Sequence, residues 1–201
     1  MTVKEKLETI AKQQQDVFDA GKAKERSDFW DFYQDHGNRR NYHQAFYSIG
    51  GKGWTDNTYH PKYPITGLDG TNSTIFVDTM ITDIKVPVDL SSAVKSDLTF
   101  YTNPVLKKIP MLTLPQNPDA TVTNIFHSCK ALEDVTFGGT ILHDISFAWS
   151  PNISDSTIES MTNALEDRNG KTALKVSFHS TTLARLTEAQ ISAIEAKNWT
   201  I

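Results

Sequence analysis

The chain has 201 residues, of which 38% are apolar and 22% are charged, and its net charge of -4 argues against a nucleic-acid partner. Its single cysteine, Cys129, excludes an intrachain disulfide framework, and no stretch approaches the roughly 20 apolar residues of a membrane-spanning helix. The first residues are polar and lack the apolar core of a signal peptide, so we expect a protein made in a reducing cytoplasm.

Residues 2–20 are predicted to form a helix with a heptad-like seam. The seam positions are Val3, Leu7, Ile10, Gln14 and Val17. Only about two and a half heptads are present, whereas a coiled coil is indicated by three or four. Two interpretations therefore stay open: the helix self-associates, with a trimer favoured, or it packs on the protein's own body.

A second helix is predicted at about residues 22–35, and Gly37 supplies its stop. The following segment, 37–69, is rich in aromatic residues and turns. Its Gly50-Gly51-Lys52-Gly53 run lacks the spacing of a phosphate-binding loop. The aromatic side chains either form a carbohydrate-stacking surface or pin the loops in a small core of their own. We therefore divide the chain into a helical head (1–36), aromatic-rich connecting loops (37–69) and a repeat domain (70–201).

The repeat domain contains one apolar spacing three times. The copies are Ile75-x-x-Asp78-x-x-Ile81-x-x-Ile84-x-Val86, Phe100-x-x-Asn103-x-x-Leu106-x-x-Ile109-x-Met111 and Phe126-x-x-Cys129-x-x-Leu132-x-x-Val135-x-Phe137. They are offset by 25 and 26 residues, which lies in the range of leucine-rich repeats. Short strands are expected at 84–86, 109–111 and 135–137. Repeats of this kind form elongated binding surfaces.

Two shorter units with the same final spacing follow, Leu142-x-x-Ile145-x-Phe147 and Ala173-x-x-Val176-x-Phe178. Between them we predict a helix that begins at the N-cap Ser154 and ends at Gly170. A C-terminal helix is predicted after a capping box of Thr187 and Gln190, and Trp199 closes the end. The predicted fold class is α+β: N-terminal helices, then a short irregular leucine-rich-repeat β-solenoid with a helical insertion and a C-terminal helical cap.

The 126–137 unit resembles the BspA-like leucine-rich repeats of bacterial surface proteins. The flanks are similar to the head and tail of a group of prophage-encoded proteins of gut Gram-positive bacteria. The matching segments are 29–31, 37–39, 41–42, 45–46, 53–54, 61–64, 183–189 and 196–201. That group usually has Lys-Gly before the last tryptophan, where this chain has Lys197-Asn198, and asparagine tolerates the same left-handed backbone. The resemblance implies a phage-associated, repeat-bearing virion or accessory protein and no particular chemistry.

No catalytic, cofactor or metal motif is present in the sequence. HExxH, CxxC, HxH and GxSxG are all missing. His127, His143 and His179 stand beside apolar repeat positions, so strand alternation predicts that they face outward. Cys129 occupies a position that in leucine-rich repeats bonds the turn backbone, which makes it structural. We expect no enzyme, no cofactor and no metal site. A carbohydrate-processing enzyme would instead need a carboxylate pair, with Asp56 facing Trp54 or Tyr59.

Strand alternation also predicts a candidate binding face of mixed charge. Its members are Asp83, Lys85, Lys108, Asp134, Thr136, Asp144, Ser146, Lys175 and Ser177. A face of this composition suits a protein or glycan partner, although an ordinary solvated surface has the same composition.

These observations favour a non-enzymatic bacteriophage virion structural or accessory protein, part of a tail, baseplate, fibre or head decoration. Its expected partners are further copies of itself, other virion proteins, and a bacterial surface glycan or protein, without nucleic acid or membrane insertion. Its expected location is the virion. The alternative is a bacterial adhesin-like leucine-rich-repeat interaction protein, against which the missing signal sequence counts.

Overall fold

The computed structural model describes residues 6, 9, 10, 12–14, 61, 64–66, 70–71 and 75–201. The fold is mixed, with a few short helices and small parallel sheets. The strands are β1 (Gly70–Thr71), β2 (Val88–Asp89), β3 (Ala93–Lys95), β4 (Lys108–Thr113), β5 (Asp134–Gly138), β6 (Ile145–Phe147), β7 (Leu174–Phe178) and β8 (Trp199–Thr200). The helices are α1 (Asp155–Ala164), α2 (Ser180–Leu183) and α3 (Glu188–Glu195). The predicted second helix and the aromatic-rich loops up to residue 60 lie outside the described residues.

Every strand pairing in the described chain is parallel, and the sheets are ordered β1-β3, β2-β4-β5 and β6-β7-β8. Parallel neighbours need a long crossover. Here the paired residues are 24 apart between β2 and β4, 26 between β4 and β5 at Ile109, 31 between β6 and β7, and 25 between β7 and β8. The same pairing continues between the strands: Phe76 N–H donates to Thr99 O at 2.8 Å, and Phe100 N–H donates to Ile125 O at 3.0 Å. Successive segments therefore lie side by side in chain order.

A column of phenylalanine rings forms the centre of the core. Phe76, Phe100, Phe126, Phe147 and Phe178 stack in that order, with centroids 5.4, 5.9, 5.0 and 6.1 Å apart. All five side chains are buried. Each segment contributes one ring, so the column locks the register between neighbouring segments as well as burying apolar surface.

The column corrects the predicted repeat alignment at two places. Phe76 stacks on Phe100, whereas the sequence spacing pairs Ile75 with it; both residues are buried, so hydrophobicity alone does not fix the register. Phe147 stacks on Phe126 and meets Phe137 only edge to face, at 6.3 Å. The 142–147 and 173–178 units therefore continue the phenylalanine column after Phe126. They do not align with Phe137 of β5, whereas the sequence spacing predicts that they do.

The predicted strands are found only in part. The 135–137 strand lies within β5, but residues 84–86 form no strand, and the chain there pairs only through a bridge between Asp83 and Lys108. In β4, the register shifts between Ile109 and Leu112, so Leu112 is buried and Met111 is exposed. This bulge accommodates Pro110, which has no N–H to donate. The prediction that Met111 is a core residue is wrong.

Helix α1 covers the open edge of β5 where a further strand would otherwise pair. Thr157 Oγ1 accepts from Val135 N–H at 2.8 Å and donates to Glu133 O at 2.9 Å. Ser160 Oγ accepts from Phe137 N–H at 2.9 Å. The predicted N-cap Ser154 is confirmed. The helix ends earlier than predicted, at Ala164, because Leu165 turns extended and pairs with Ile141.

The C-terminal helix begins as predicted, and the residues after it pack on the body. The capping box of Thr187 and Gln190 is present on α3, and Trp199 is buried in β8 beside β7. Asn198 adopts the left-handed conformation, with φ of 58°. At the other end, Ile65 is fully buried and bridges to Val88, so the core begins ahead of residue 70. None of the described helices is long and apolar enough to span a membrane.

Candidate recognition surface

The structure divides the predicted binding face between two sheets. Asp83, Lys85, Lys108, Asp134 and Thr136 follow the row of β4 and β5. Asp144, Ser146, Lys175 and Ser177 lie on or beside β6 and β7. The first three units and the last two therefore lie on separate sheets, and one continuous binding face stays a prediction.

In the first group, charges of opposite sign are in register. Lys108 pairs with Asp83 on one side and with Asp134 on the other. Lys85, Lys108 and Thr136 are exposed. Asp134 is engaged with the start of α1, where its Oδ1 accepts from Ser154 Oγ at 2.7 Å. This arrangement favours cross-strand stabilisation as the role of the acidic residues.

In the second group, a carboxylate holds the backbone of the next segment. Asp144 Oδ1 accepts from Lys175 N–H at 2.7 Å, and Ser146 pairs with Ser177 in the parallel register. Both serines are half-buried, while Asp144 and Lys175 are exposed. Asp144 therefore helps to fix the register between β6 and β7, and Lys175 presents the exposed positive charge of this group.

Three aromatic side chains from successive segments form a second surface, which we call the aromatic strip: Tyr101, His127 and Trp149. The rings of Tyr101 and His127 stack 4.9 Å apart at 21°, and those of His127 and Trp149 lie 4.6 Å apart at 43°. Trp149 is 51% exposed despite its size. Ser128 Oγ lies 3.0 Å from His127 Nδ1, which fixes the imidazole in the middle of the strip.

The aromatic strip combines rigid apolar rings with polar tips. The three rings stack on one another, which restricts their side chains, so less conformational entropy remains to be lost on binding. Tryptophan and tyrosine dominate protein interfaces because each offers a large flat surface and one polar group. The indole of Trp149 is tilted relative to the His127 ring, and about half of the residue is exposed. The strip is therefore suited to contact a partner by stacking and hydrogen bonding.

The aromatic strip was not predicted, although its signal is present in the sequence. Tyr101 and His127 each follow the column phenylalanine of their segment, whereas Trp149 stands two residues after Phe147. The outward orientation predicted for His127 agrees with its partial exposure. What the sequence did not provide was the register that brings the third ring beside the other two.

Cys129 is a structural residue, as predicted. It is completely buried, and its Sγ donates to Phe100 O at 2.9 Å. Burial raises the pKa of the thiol to about 12, so the reactive thiolate is not formed at neutral pH. Asn103, one segment earlier, makes the corresponding contact, because its Nδ2 donates to Phe76 O. Its Oδ1 also accepts from Thr79 N–H at 2.8 Å.

The prediction of a surface position is wrong for His143. Its side chain is only 8% exposed, and Nε2 lies 3.2 Å from Pro115 O. Burial lowers the pKa of the imidazole below its ordinary value, while the Pro115 and Asn117 carbonyls and the Asp144 charge oppose that shift. His179 has a local role, since it caps α2 by accepting from Thr181 N–H.

Of the predicted oligomerisation seam, only Ile10 and Gln14 fall within the described residues. Both are helical and exposed, and Ile10 is 50% exposed. Val3, Leu7 and Val17 lie outside the described residues, as does Asp56. Within the described part of the chain, no three His, Cys, Asp or Glu side chains are grouped to hold a metal ion. No protein family model, curated protein or solved structure matches this chain.

Proposed function

We propose that this chain is a non-enzymatic bacteriophage virion protein, part of a tail, baseplate, fibre or head decoration, that contacts a protein or glycan on the bacterial surface. The observation that carries the proposal is the aromatic strip. Tyr101, His127 and Trp149 come from three successive segments, and Trp149 remains half exposed. A single exposed apolar side chain is ordinary, whereas neighbouring exposed rings from successive segments are typical of an interaction site.

We further propose that the body is a short solenoid of the BspA-like leucine-rich-repeat type. Parallel pairing between segments about 25 residues apart and the column of five phenylalanine rings support this interpretation. A solenoid displays equivalent positions of its repeats in a line along its side. The aromatic strip follows such a line, so the fold would place recognition on the flank of the body.

The absence of catalysis is part of the same proposal. The one thiol is buried and its pKa is raised to about 12, which is unsuited to a nucleophile. The carboxylates of Asp134 and Asp144 are occupied by hydrogen bonds that hold neighbouring segments. These contacts support a role for the polar groups in building the surface and not in chemistry.

In this proposal the N-terminal helix attaches the protein to further copies of itself, with a trimer favoured, or to other virion proteins. The support is the exposure of every described helical residue near the N-terminus, including Ile10. A helix this short gains most of its stability from packing against a partner.

One experiment tests location and recognition together. Phage particles from a strain that carries this gene would be purified and probed for the protein, and their adsorption to host cells measured with Trp149→Ala in place. We expect the protein in the particles and an adsorption rate about tenfold lower, as for loss of one interface tryptophan. Leu183→Ala, at an exposed site on α2, is the matched control.

The two possible failures are distinct. Purified particles without the protein would refute the virion assignment. Particles that contain the Trp149→Ala protein and adsorb at the unchanged rate would refute recognition through the aromatic strip.

A further inference from the structure

A groove of about 320 Å³ lies between α1 and α3. The α1 wall carries three kinds of side chain. Asp155 and Glu159 are acidic and Ile158 is apolar. Thr162 and Asn163, toward the end of the helix, are polar and uncharged. The α3 wall is made by Ala189, Gln190 and Ala193. The two alanines are one helical turn apart on the same face, so no bulky side chain fills the groove there.

The only acid in this groove without a charged partner among the described residues is Glu159. Asp155 forms an ion pair with Arg185. Glu159 is exposed near the middle of the α1 wall, beside Ile158, which is buried and forms the floor. An occupant therefore needs a basic residue close to an apolar one.

The N-terminal helix carries a matching sequence of side chains. Lys6, Ile10 and Gln14 are spaced four residues apart, so they share one face of that helix. All three are exposed. Lys6 is complementary in charge to the acidic part at Asp155 and Glu159. Ile10 matches the apolar part at Ile158 and the alanines, and Gln14 matches the polar end at Thr162 and Asn163. Both runs are about 12 Å long at the rise of an α-helix.

We propose that the α1–α3 groove binds the N-terminal helix of a second copy of this chain. This inference rests on the self-association part of the proposed function and specifies its contact. The contact joins two different surfaces, so it is heterologous, and such contacts close into rings when the rotation between copies permits. Three copies joined in this way would make the trimer without a coiled coil.

Disulfide cross-linking between two separate proteins tests the contact. Two full-length variants, Ile10→Cys and Ala193→Cys, would be mixed and oxidised. Because each chain carries one of the two new cysteines, only a bond between copies can join residue 10 to residue 193. Native Cys129 stays out of the reaction because it is buried and protonated. We expect a species of twice the 22.5 kDa chain mass, in which peptide mass spectrometry finds residue 10 of one copy bonded to residue 193 of another and not two like positions bonded. The control replaces Ala193→Cys with Ser192→Cys, which is exposed on α3 but does not line the groove.

A charge exchange tests the orientation. Lys6→Glu is expected to lower the cross-linking yield severalfold, and adding Glu159→Lys to the partner is expected to restore it. Cross-linking that is equal at residues 192 and 193, or a charge exchange without rescue, would overturn the proposal. A bond that forms only within a doubly substituted chain would place the helix on its own body and would also overturn it. Each of these failures leaves the phage-adsorption result for Trp149 unaffected.

Discussion

At the scale of single residues, one position is filled by different chemistries in successive segments. Asn103 and Cys129 both donate to the column phenylalanine carbonyl of the preceding segment. The role was predictable from the sequence, because a small polar or thiol residue recurs at this spacing. The residue at this position in the first segment was not predicted correctly. It is Thr79, which hydrogen-bonds Asn103, and not Asp78. Asp78 instead lies at a turn and has a φ of 55°. Thr102 and Ser128, at the turns of the next two segments, have similar positive φ values.

We expect His143 to make the stability of the fold depend on pH. Burial lowers the pKa of its imidazole in the folded protein, so below the ordinary value of about 6.5 the unfolded chain takes up the proton first. The contribution of His143 to the free energy of unfolding is therefore constant above that pH. It falls as the pH drops toward the pKa of the folded state. The fall is at most about 1.4 kcal/mol for each pH unit.

The test compares wild type with His143→Gln by chemical denaturation between pH 8 and pH 5. The variant loses the contact with Pro115 and is expected to be less stable at pH 8. Its stability should decline less on acidification than that of wild type, so the two curves converge. Parallel curves would show that His143 does not contribute to the pH dependence.

At the scale of elements, local chemistry was predictable and long-range pairing was not. Ser154 and Thr187 were identified as N-caps because a cap depends on residues within one turn. The end of α1 was missed because Leu165 leaves the helix to pair with Ile141, which is distant in sequence. The candidate binding face is divided between two sheets for the same reason. The spacing of residues within a unit does not determine which sheet that unit joins.

Helix α1 substitutes for a strand at the edge of β5, and this predicts a specific cost. Thr157→Val keeps the shape of the side chain but removes the hydroxyl that bonds Val135 N–H and Glu133 O. Val135 N–H then loses its partner at a buried site, while Glu133 O keeps the hydrogen bond that Ser154 N–H donates at 2.9 Å. We expect the free energy of unfolding to fall by about 1–3 kcal/mol.

Thr162→Val is the matched control on the same helix. The Thr162 hydroxyl bonds only Ile158 O of its own helix, and such bonds add little to stability. We expect a change within about 0.5 kcal/mol. Equal losses for the two variants in urea denaturation would mean that α1 does not act as the edge cover of β5.

At the scale of the whole molecule, most of the contacts that organise the body join neighbouring segments. The phenylalanine column passes from one segment to the next, and the last segment is closed by residues 196–201. Lys197 Nζ donates to Thr162 O and Leu165 O at 2.8 and 2.9 Å, and Trp199 Nε1 donates to Glu166 O at 2.9 Å. The end of α1 and the C-terminus are therefore held by each other.

A change at this closure should consequently stay local. Lys197→Met removes the cation that satisfies the last carbonyl groups of α1, a contact of about 0.5–1 kcal/mol. Hydrogen exchange followed by mass spectrometry should show faster exchange at 158–166 and 196–200 and unchanged exchange at 98–128. Lys130→Met, at an exposed lysine, should leave all three regions unchanged. Faster exchange throughout the chain would instead mean that the segments unfold as one cooperative unit, because nearest-neighbour coupling confines a small loss to the segments that make the contact.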